Sequence, residues 1–212
     1  MAEDKVLEGI RKALEGAKPR KFKESVEICI NLKDVDLSVP KNRIDEDIPL
    51  PKSRGKGVKV ALFGTNEMTS KAKNVADRVL TPEDIDKLAD NKRDARKLAL
   101  GHQYFVAEAP LMPTIGKKLG KVLAPRGKMP RPIPPGSDPS PVLNAVRNSV
   151  KVRSRDRRTF HATVGSRDMS AEDLAANVDA VMKRILARLE RGPANIHSVF
   201  VKTTMGPAMK IM

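Results

Sequence analysis

Five consecutive residues near the carboxyl end have side chains better suited to binding a partner than to packing in a core. Thr203, Thr204, Met205, Gly206 and Pro207 interrupt a segment whose apolar residues alternate as in a β-strand. Threonine hydroxyls both donate and accept hydrogen bonds, a thioether adapts to irregular surfaces, and glycine allows close approach to the backbone. The alternation predicts that Thr203 faces inward and Thr204 outward. The segment is therefore predicted to contact a hydroxyl-bearing ligand; a β-bulge between edge strands is the alternative.

Two strand patterns elsewhere carry polar side chains on one face. Ser25 and Glu27 share the polar face of the segment SVEICINL, and His161 and Thr163 share that of TFHATVG. A carboxylate accepts hydrogen bonds from groups that a phosphate lacks, such as a ribose 2′-hydroxyl or a guanine edge. These faces are predicted to bind ligand, although an ion-paired Glu27 and a solvated strand face around His161 are equally compatible with the patterns.

Two basic segments are predicted to make secondary contacts with phosphates, because Arg and Lys position proteins on a nucleic-acid backbone. The proline-stiffened segment 125–132 contributes Arg126 and Lys128, and segment 151–158 contributes Arg153 and Arg155. For the first segment the alternative is a rigid surface loop without a ligand.

The charge of the whole chain indicates a polyanionic partner. The 41 Lys and Arg residues outnumber the 26 Asp and Glu residues, which gives a net charge of +15. Residues 1–55 carry a net charge of +1, whereas residues 56–142 and 143–212 each carry +7. Nucleic acid is the commonest partner of such a protein. Because only 3% of the residues are aromatic, recognition is expected to use shape, phosphates and sugar hydroxyls rather than base stacking.

Several other classes of protein are disfavoured. The sequence has neither G-x-G-x-x-G nor G-x-x-x-x-G-K-[ST], the loops that bind phosphates of nucleotides, and its few cysteine and histidine residues lack the spacing of metal ligands. A single cysteine fits a reducing compartment, and no apolar run approaches the length of a membrane span. We therefore expect a cytoplasmic protein without catalytic activity, cofactor, metal or membrane association. A nucleotide-dependent enzyme remains the main alternative.

The order of the predicted elements indicates two domains, one inserted into the other. Both ends of the chain offer half-buried strands and amphipathic helices, and neither end alone buries a core. Together they predict an α+β domain with an antiparallel sheet, formed by residues 1–55 and 143–212. Compact apolar strands alternate with helices between them, which predicts an inserted Rossmann-like α/β domain with a parallel sheet at residues 56–142.

Some boundaries within the inserted domain follow from proline and glycine. A helix is predicted at about residues 66–77, an interrupted segment at 111–123 and a long loop at 124–141, which holds seven prolines. A further helix beginning near residue 142 is predicted to lead directly into the basic segment 151–158.

Four segments together resemble the ribosomal protein L-one family, which forms the mobile lateral stalk of the large ribosomal subunit. They are RKFKESVEI, APRGKMPRP, LNAVRNSVKVRSRD with FHATVG, and VKTTMGPAMK, and the similarity extends over nearly the whole chain. The segments RIDEDIPLP and LMPTIG resemble those of archaeal members.

The resemblance implies more than the residues alone do. It implies binding to large-subunit ribosomal RNA beside the tRNA exit site, movement as deacylated tRNA leaves, repression of the protein's own messenger RNA, and a monomer when off the ribosome. It places RNA contacts at Phe22, Ser25 and Glu27 and at Thr204 to Pro207, with Lys21, His161 and Thr163 at the same surface. Ser25 stands where bacterial members are expected to have threonine, which indicates that a hydroxyl is sufficient there.

Overall fold

The computed structural model describes residues 2–73 and 75–212. The described helices, in chain order, are α1 (Ala2–Glu15), α2 (Asn66–Ala72), α3 (Pro82–Asp90), α4 (Lys92–Gly101), α5 (Met112–Leu123), α6 (Ser140–Arg147) and α7 (Ala171–Arg188). The described strands are β1 (Ser25–Leu32), β2 (Asp45–Pro49), β3 (Val60–Phe63), β4 (Arg78–Leu80), β5 (Tyr104–Glu108), β6 (Arg131–Ile133), β7 (Ser149–Arg153), β8 (Thr159–Ser166), β9 (Ile196–Thr203) and β10 (Met209–Lys210).

The chain divides into two compact units. The flanking unit combines residues 1–56 with 148–212, and the inserted unit consists of residues 57–147. The chain passes from the flanking unit to the inserted unit after residue 56, the first junction, and returns after residue 147, the second junction. Helix α6 therefore belongs to the inserted unit, whereas the boundary predicted from the sequence, after residue 142, falls within this helix. The predicted fold class, an antiparallel α+β fold together with a parallel α/β fold, is confirmed.

An antiparallel sheet forms the centre of the flanking unit and draws strands from both ends of the chain. Its order is β10-β9-β1-β8. Along β1, buried and half-buried residues alternate without a break. The buried side chains, such as Val26 and Ile28, pack in one core with Ile10 of α1 and Val178 of α7. Because both helices cover this face, the polar residues of β1 point to the opposite face of the sheet.

Helix α7 is fastened to this sheet by a buried amide. The helix begins where the Ser170 side chain accepts a hydrogen bond from the backbone N–H of Asp173, at 3.1 Å. One turn later, the amide nitrogen of the fully buried Asn177 donates to the carbonyl of Val164 in β8, at 2.8 Å. Its amide oxygen accepts from the N–H of Lys52, at 3.0 Å. Asn177 therefore links helix, sheet and the first junction of the chain.

The basic segment after α6 is partly a strand, which the sequence analysis did not predict. Strand β7 pairs with β2 in a two-stranded antiparallel sheet, and Val150 and Val152 are buried in the core of the flanking unit. On the exposed side, Lys151 and Arg153 both pair with Asp45, at 3.4 and 3.0 Å. The prediction of a helix leading directly into a charged segment was wrong, because alternating valines between the basic residues supply a strand face.

The inserted unit has a four-stranded parallel sheet with helices on both faces. Its order is β4-β3-β5-β6, and all neighbouring strands run parallel. Helices α3, α4 and α5 pack in a core on one face, and α2 and α6 pack on the other. Strand β3 is buried along its whole length, as expected for a parallel strand covered on both sides. The predicted helix at 66–77 ends at Ala72 instead, and the short strand β4 follows it.

Residues 112–123 form a continuous helix, α5, although the sequence predicted an interrupted segment. Pro113 lies in the first turn of the helix. Backbone N–H groups in a first turn have no acceptor within the helix, so proline, which lacks this group, loses no hydrogen bond there. Ile115, Leu119 and Leu123 lie four residues apart and are buried in the core. These apolar contacts outweigh the low helix propensity of the two glycines between them.

The predicted long loop at 124–141 contains the short strand β6 and the start of α6. Strand β6 lies at the edge of the parallel sheet beside β5. Proline is tolerated in an edge strand because one side of it forms no ladder hydrogen bonds. Pro132 occupies such a position, and this explains why a proline-rich segment still contributes a strand.

No helix among the described residues 2–73 and 75–212 is long and apolar enough to span a membrane.

Candidate nucleic-acid interface

The turn after β9 is joined to the beginning of β1 by three hydrogen bonds. The backbone N–H of Thr204 donates to the carbonyl of Ser25 at 3.0 Å, and the Thr204 hydroxyl lies 3.2 Å from both the backbone nitrogen and the carbonyl oxygen of Ser25. Residues 179 positions apart in the sequence are thereby held side by side. We call the segment Thr203–Pro207 the carboxy-terminal turn.

The inward and outward directions of the two threonines agree with their predictions. Thr203 is fully buried and Thr204 is half-buried. Although Thr204 faces outward, its hydroxyl is hydrogen-bonded to the backbone of Ser25. A Cβ atom at Gly206 would overlap the hydroxyl of Thr203, so a larger residue there would force the buried Thr203 side chain to move.

The buried Glu24, which the sequence analysis did not identify, contacts the carboxy-terminal turn from within the flanking unit. Its side chain is 1% exposed, its carboxylate lies 3.1 Å from Nε of Arg20, and it accepts a hydrogen bond from the N–H of Met205 at 3.3 Å. The pKa of Glu24 is lowered, mainly by the nearby Thr203 hydroxyl, and burial opposes this shift. The Thr203 hydroxyl does not form a hydrogen bond of regular geometry. Glu24 has the same strand parity as Val26, which is the sequence signal for its inward position.

Two large apolar side chains flank this junction and face solvent. Phe22, three residues before Ser25, is 52% exposed, and Met205 is 58% exposed. Pro207 is exposed too, and a Cβ atom at Gly16 would lie 2.8 Å from its ring, so the turn packs closely on the end of α1. Exposed apolar groups beside hydrogen-bonding groups are typical of an interaction site.

The segment that carries Lys21 and Phe22 is anchored to β8 by an arginine. The guanidinium of Arg167, just after β8, donates to the carbonyls of Ala17 and Lys18 at 2.8 and 3.0 Å. Lys21 itself is exposed. The anchoring brings the exposed Lys21 and Phe22 to the same end of the sheet as the carboxy-terminal turn.

The open face of the antiparallel sheet continues this surface. Glu27 lies opposite Thr163 of β8 on one side and opposite Lys202 of β9 on the other. All three are half-buried. The row therefore presents a carboxylate, a hydroxyl and an ammonium group next to one another, which can bind a ligand with both donors and acceptors. The sequence analysis did not identify Lys202. Lys202 and Thr204 are both even-numbered positions of the alternating segment, so the same pattern that turns Thr204 outward also turns Lys202 outward.

The next row of the open face holds His161, Cys29 and Phe200. Cys29 lies opposite His161 and opposite Phe200, and its sulfur is 4.0 Å from Nε2 of His161. Burial raises the pKa of the Cys29 thiol above its usual value, while the Lys202 charge opposes this shift. The thiol is therefore largely protonated at neutral pH and acts as a weakly polar part of the face.

The four basic residues predicted as secondary contacts have different environments. Arg153 is paired with Asp45, and Arg155 lies in the turn before β8 with a positive φ of 53°. Arg126 is exposed, and its guanidinium donates to the carbonyl of Val122 at 2.9 Å. The ammonium group of Lys128 donates to the carbonyls of Ala99 and His102, both at 2.7 Å. These bonds give it a structural role, connecting the loop after α5 to the end of α4.

The carboxyl edge of the parallel sheet has a protein carboxylate where a nucleotide enzyme binds phosphate. The side chain of Glu108 accepts a hydrogen bond from the N–H of Thr65, at 2.9 Å, immediately before α2. A negative charge at this position repels phosphate rather than binding it. Within residues 2–73 and 75–212, no group of three or more His, Cys, Asp or Glu side chains has the arrangement of a metal site.

Comparisons with known proteins cover nearly the whole chain. The model of the Ribosomal protein L1p/L10e family matches residues 12–207. A protein of Thermoplasma volcanium named large ribosomal subunit protein uL1 is 53% identical, over 97% of this chain and 96% of its own length. Proteins of the same name from Methanocella arvoryzae and Archaeoglobus fulgidus are 50% and 48% identical, over 100% and 99% of this chain and 100% and 98% of their own lengths. The chain belongs to the Ribosomal protein L1p/L10e family.

Proposed function

We propose that this chain is a structural protein of the large ribosomal subunit and that its flanking unit binds large-subunit ribosomal RNA. The surface comprises the carboxy-terminal turn, the segment with Lys21 and Phe22, and the open sheet face with Ser25, Glu27, His161 and Thr163. Membership in the L1p/L10e family and the names of the archaeal relatives support the ribosomal assignment.

The observation that carries the RNA-binding surface is the junction of Ser25 with Thr204. It collects the candidate residues from both ends of the chain on one end of one sheet. These residues offer hydroxyls, a carboxylate and exposed apolar side chains rather than a cluster of cations. Such groups suit ribose hydroxyls and the base edges of a folded RNA, whose minor groove presents both.

The chain provides a reporter at the centre of the proposed surface. Cys29 is its single cysteine and is half-buried on the open face. The rate of alkylation by N-ethylmaleimide should fall when the protein binds deproteinised large-subunit ribosomal RNA. The same amount of random-sequence RNA should protect the thiol much less. An unchanged rate at saturating ribosomal RNA would place the binding surface elsewhere.

Salt dependence distinguishes specific recognition from adhesion of a basic protein to RNA. Because the surface is built largely from hydroxyls, backbone and a carboxylate, specific binding should depend less steeply on salt than binding to random RNA. Affinities for both RNAs between low and moderate salt measure the two slopes. Equal, steep slopes would indicate electrostatic adhesion alone.

Finer roles follow from the family resemblance and belong to the same proposal. The bound RNA lies at the mobile lateral stalk, where the protein assists release of deacylated tRNA from the exit site. The same surface binds a similar element in the protein's own messenger RNA and represses its translation, and the protein is a monomer when off the ribosome. Competition between ribosomal RNA and the transcript of its own operon tests the shared surface. Simultaneous binding of both RNAs would contradict it.

The proposed function does not include catalysis. The enzyme alternative needs a phosphate site at the parallel sheet, where Glu108 already binds the N–H of Thr65. Calorimetry with ATP, GTP and NAD should give no binding heat. A stoichiometric heat with any of them would support the enzyme alternative.

A further inference from the structure

A groove in the inserted unit is lined by cations and apolar groups. It has a volume of about 420 Å³ and lies between the end of α3, the beginning of α4 and the second half of α5. Its five charged lining residues are all basic: Lys92, Arg96, Lys118, Lys121 and Arg126. Leu119 and Val122 of α5 contribute apolar wall. None of the five is a residue of the proposed surface on the flanking unit.

Two of the cations, Lys92 and Arg96, lie where they oppose the stability of their own helix. Lys92 is the first residue of α4, where the helix dipole disfavours positive charge. Arg96 lies one turn later on the same helix, and Lys118 and Lys121 lie one turn apart on α5. Like charges at these spacings repel each other. Helix stability therefore does not explain Lys92 and Arg96, whereas Lys121 in the last turn of α5 is favoured by the helix dipole.

Few negative charges compensate this cluster. Lys118 pairs with Asp86, and the guanidinium of Arg126 bonds to a backbone carbonyl. Among the described residues, Lys92, Arg96 and Lys121 have no carboxylate within ion-pair distance and all three are exposed. Three exposed cations around one groove are free to bind an external anion.

A second cavity of the inserted unit provides an internal comparison. It has a volume of about 510 Å³ and is lined by Lys59, Arg78, Lys87 and Lys97, but also by two acids, Asp84 and Asp94. Asp94 pairs with Lys97 at 3.4 Å and Asp84 with Lys87 at 4.0 Å. Two of the four cations of this cavity thus have a paired acid that also lines it, whereas the groove between α4 and α5 has no acid among its lining residues.

We propose that this groove, which we call the α4–α5 groove, is a second RNA-binding site. It holds the sugar-phosphate backbone of an RNA strand between Lys92 and Arg96 on one wall and Lys121 on the other. The choice of RNA as the polyanion rests on the proposed function of the flanking unit. The groove has no exposed aromatic side chain among its lining residues, so it binds phosphates without reading bases. Its contribution is sequence-independent and sensitive to salt.

Two variants of equal charge test the groove in the full-length protein. The groove variant combines Lys92→Gln, Arg96→Gln and Lys121→Gln, which removes the three cations without a carboxylate partner. The control variant combines Lys59→Gln, Arg78→Gln and Lys97→Gln, which removes three cations from the second cavity. Each lowers the net charge from +15 to +12. Affinity for deproteinised large-subunit ribosomal RNA is measured at several salt concentrations. At low salt the groove variant should bind about tenfold more weakly, and its salt slope should fall by about 2, whereas the control should change less than twofold.

Equal losses in the two variants would overturn the proposal, because charge anywhere on the unit would then suffice. A second outcome would also overturn it. If tripolyphosphate raised the melting temperature of the wild type but not that of the groove variant, and both proteins bound RNA with equal affinity, the groove would be a site for free anions. A third variant, Phe22→Ala with Met205→Ala, separates this proposal from that for the flanking unit. If only the third variant loses affinity, the groove proposal fails, and if only the groove variant does, the proposed surface of the flanking unit fails.

Discussion

The hydroxyl of Thr204 has a structural partner as well as a proposed ligand. It lies between the backbone nitrogen and the carbonyl oxygen of Ser25, at 3.2 Å from each. An oxygen has capacity for more than these two contacts, and the residue is only half-buried. A substitution here therefore affects both the stability of the free protein and the affinity for RNA, which must be measured separately.

Thr204→Val should lower the free energy of unfolding by about 1 kcal/mol, because the N–H of Ser25 loses an acceptor. Its affinity for ribosomal RNA should fall by about tenfold or more, since an RNA group is left without its partner. Urea unfolding and RNA titration measure the two effects. Thr204→Ser keeps the hydroxyl and is the matched control. A stability loss with unchanged affinity would make the hydroxyl purely structural.

Phe22 and Met205 should behave differently, because both are more than half exposed. Phe22→Ala and Met205→Ala should each change the free energy of unfolding by no more than about 0.5 kcal/mol. Each should weaken RNA binding about tenfold, as expected when an apolar contact at an interface is removed. Thermal unfolding and RNA titration of both variants provide the comparison. A marked loss of stability would show that these side chains serve the fold.

Glu24 should make the stability of the flanking unit dependent on pH. The pKa of its carboxyl in the folded protein lies below the ordinary value of 4.5, so the unfolded chain binds the proton more tightly. Its contribution to stability is therefore complete above about pH 4.5 and is lost as the pH falls through the folded pKa. Glu24→Gln should be less stable than the wild type at neutral pH, and the difference should narrow in acid.

Urea unfolding at about pH 7 and about pH 3.5 checks this expectation. Glu8→Gln is the control, because its carboxylate pairs with Lys12 on the exposed surface of α1, where the pair contributes little. A gap between wild type and Glu24→Gln that is constant with pH would mean that the amide substitution disturbs packing and that ionisation is unimportant.

At the scale of elements, helix α5 shows where local propensity yields to packing. Its two glycines directly follow the buried Ile115 and Leu119, and a Cβ atom at either Gly116 or Gly120 would have open space around it. Neither glycine is required by a turn or by a close contact in the inserted unit. The helix therefore carries a backbone-entropy cost that a substitution can remove.

Gly116→Ala should raise the free energy of unfolding by about 0.5–1 kcal/mol, because alanine restricts the unfolded chain and favours helix. Gly206→Ala should do the opposite, since its Cβ atom would overlap the Thr203 hydroxyl. Calorimetric melting of both variants makes the test. Destabilisation by Gly116→Ala would indicate a contact that the helix surface does not present in this structure.

The length of an element decides how well its sequence pattern predicts it. Strand β1 alternates along its whole length, β8 and β9 alternate over most of theirs, and α7 has a capping serine with acids in its first turn, so the predictions of these elements were confirmed. Strands β4 and β6 have three residues each, too few for a periodicity to be visible. Their pairing depends on neighbouring strands rather than on their own residues.

The candidate site was predictable in its residue types but not in its internal contacts. Alternation alone gave the directions of Thr203 and Thr204. The bond between Thr204 and Ser25 joins residues far apart in the sequence, which no local pattern reports. Glu24 was overlooked because a charged residue next to a strand is usually solvated, although its parity matches Val26.

At the scale of the whole molecule, the flanking unit should not need the inserted one. Pro49 of β2 pairs with Ser149 of β7, and the N–H of Leu50 donates to the carbonyl of Asn148 at 2.9 Å. The two chain crossings are therefore adjacent within the flanking unit. A short linker can bridge the gap that excision of the insertion leaves.

A chain that joins residues 1–56 to 148–212 through a few glycines should fold cooperatively and keep most of the specific affinity for ribosomal RNA. It should lose the salt-dependent part that the α4–α5 groove contributes. The isolated residues 57–147 should bind RNA weakly and without preference. Specific binding by the isolated inserted unit would contradict the location of the site.

The strand order β10-β9-β1-β8 has a consequence for synthesis of the protein. Strand β1 pairs with β9 along its length, and the final residues of the chain complete the sheet. During translation, the inserted unit leaves the ribosome whole and can fold while the carboxy-terminal turn has not yet been made. A nascent or truncated chain thus lacks the junction of Ser25 with Thr204. Only a chain that has been made at least as far as Pro207 has the proposed surface of the flanking unit, so shorter products would be poor competitors for ribosomal RNA during subunit assembly.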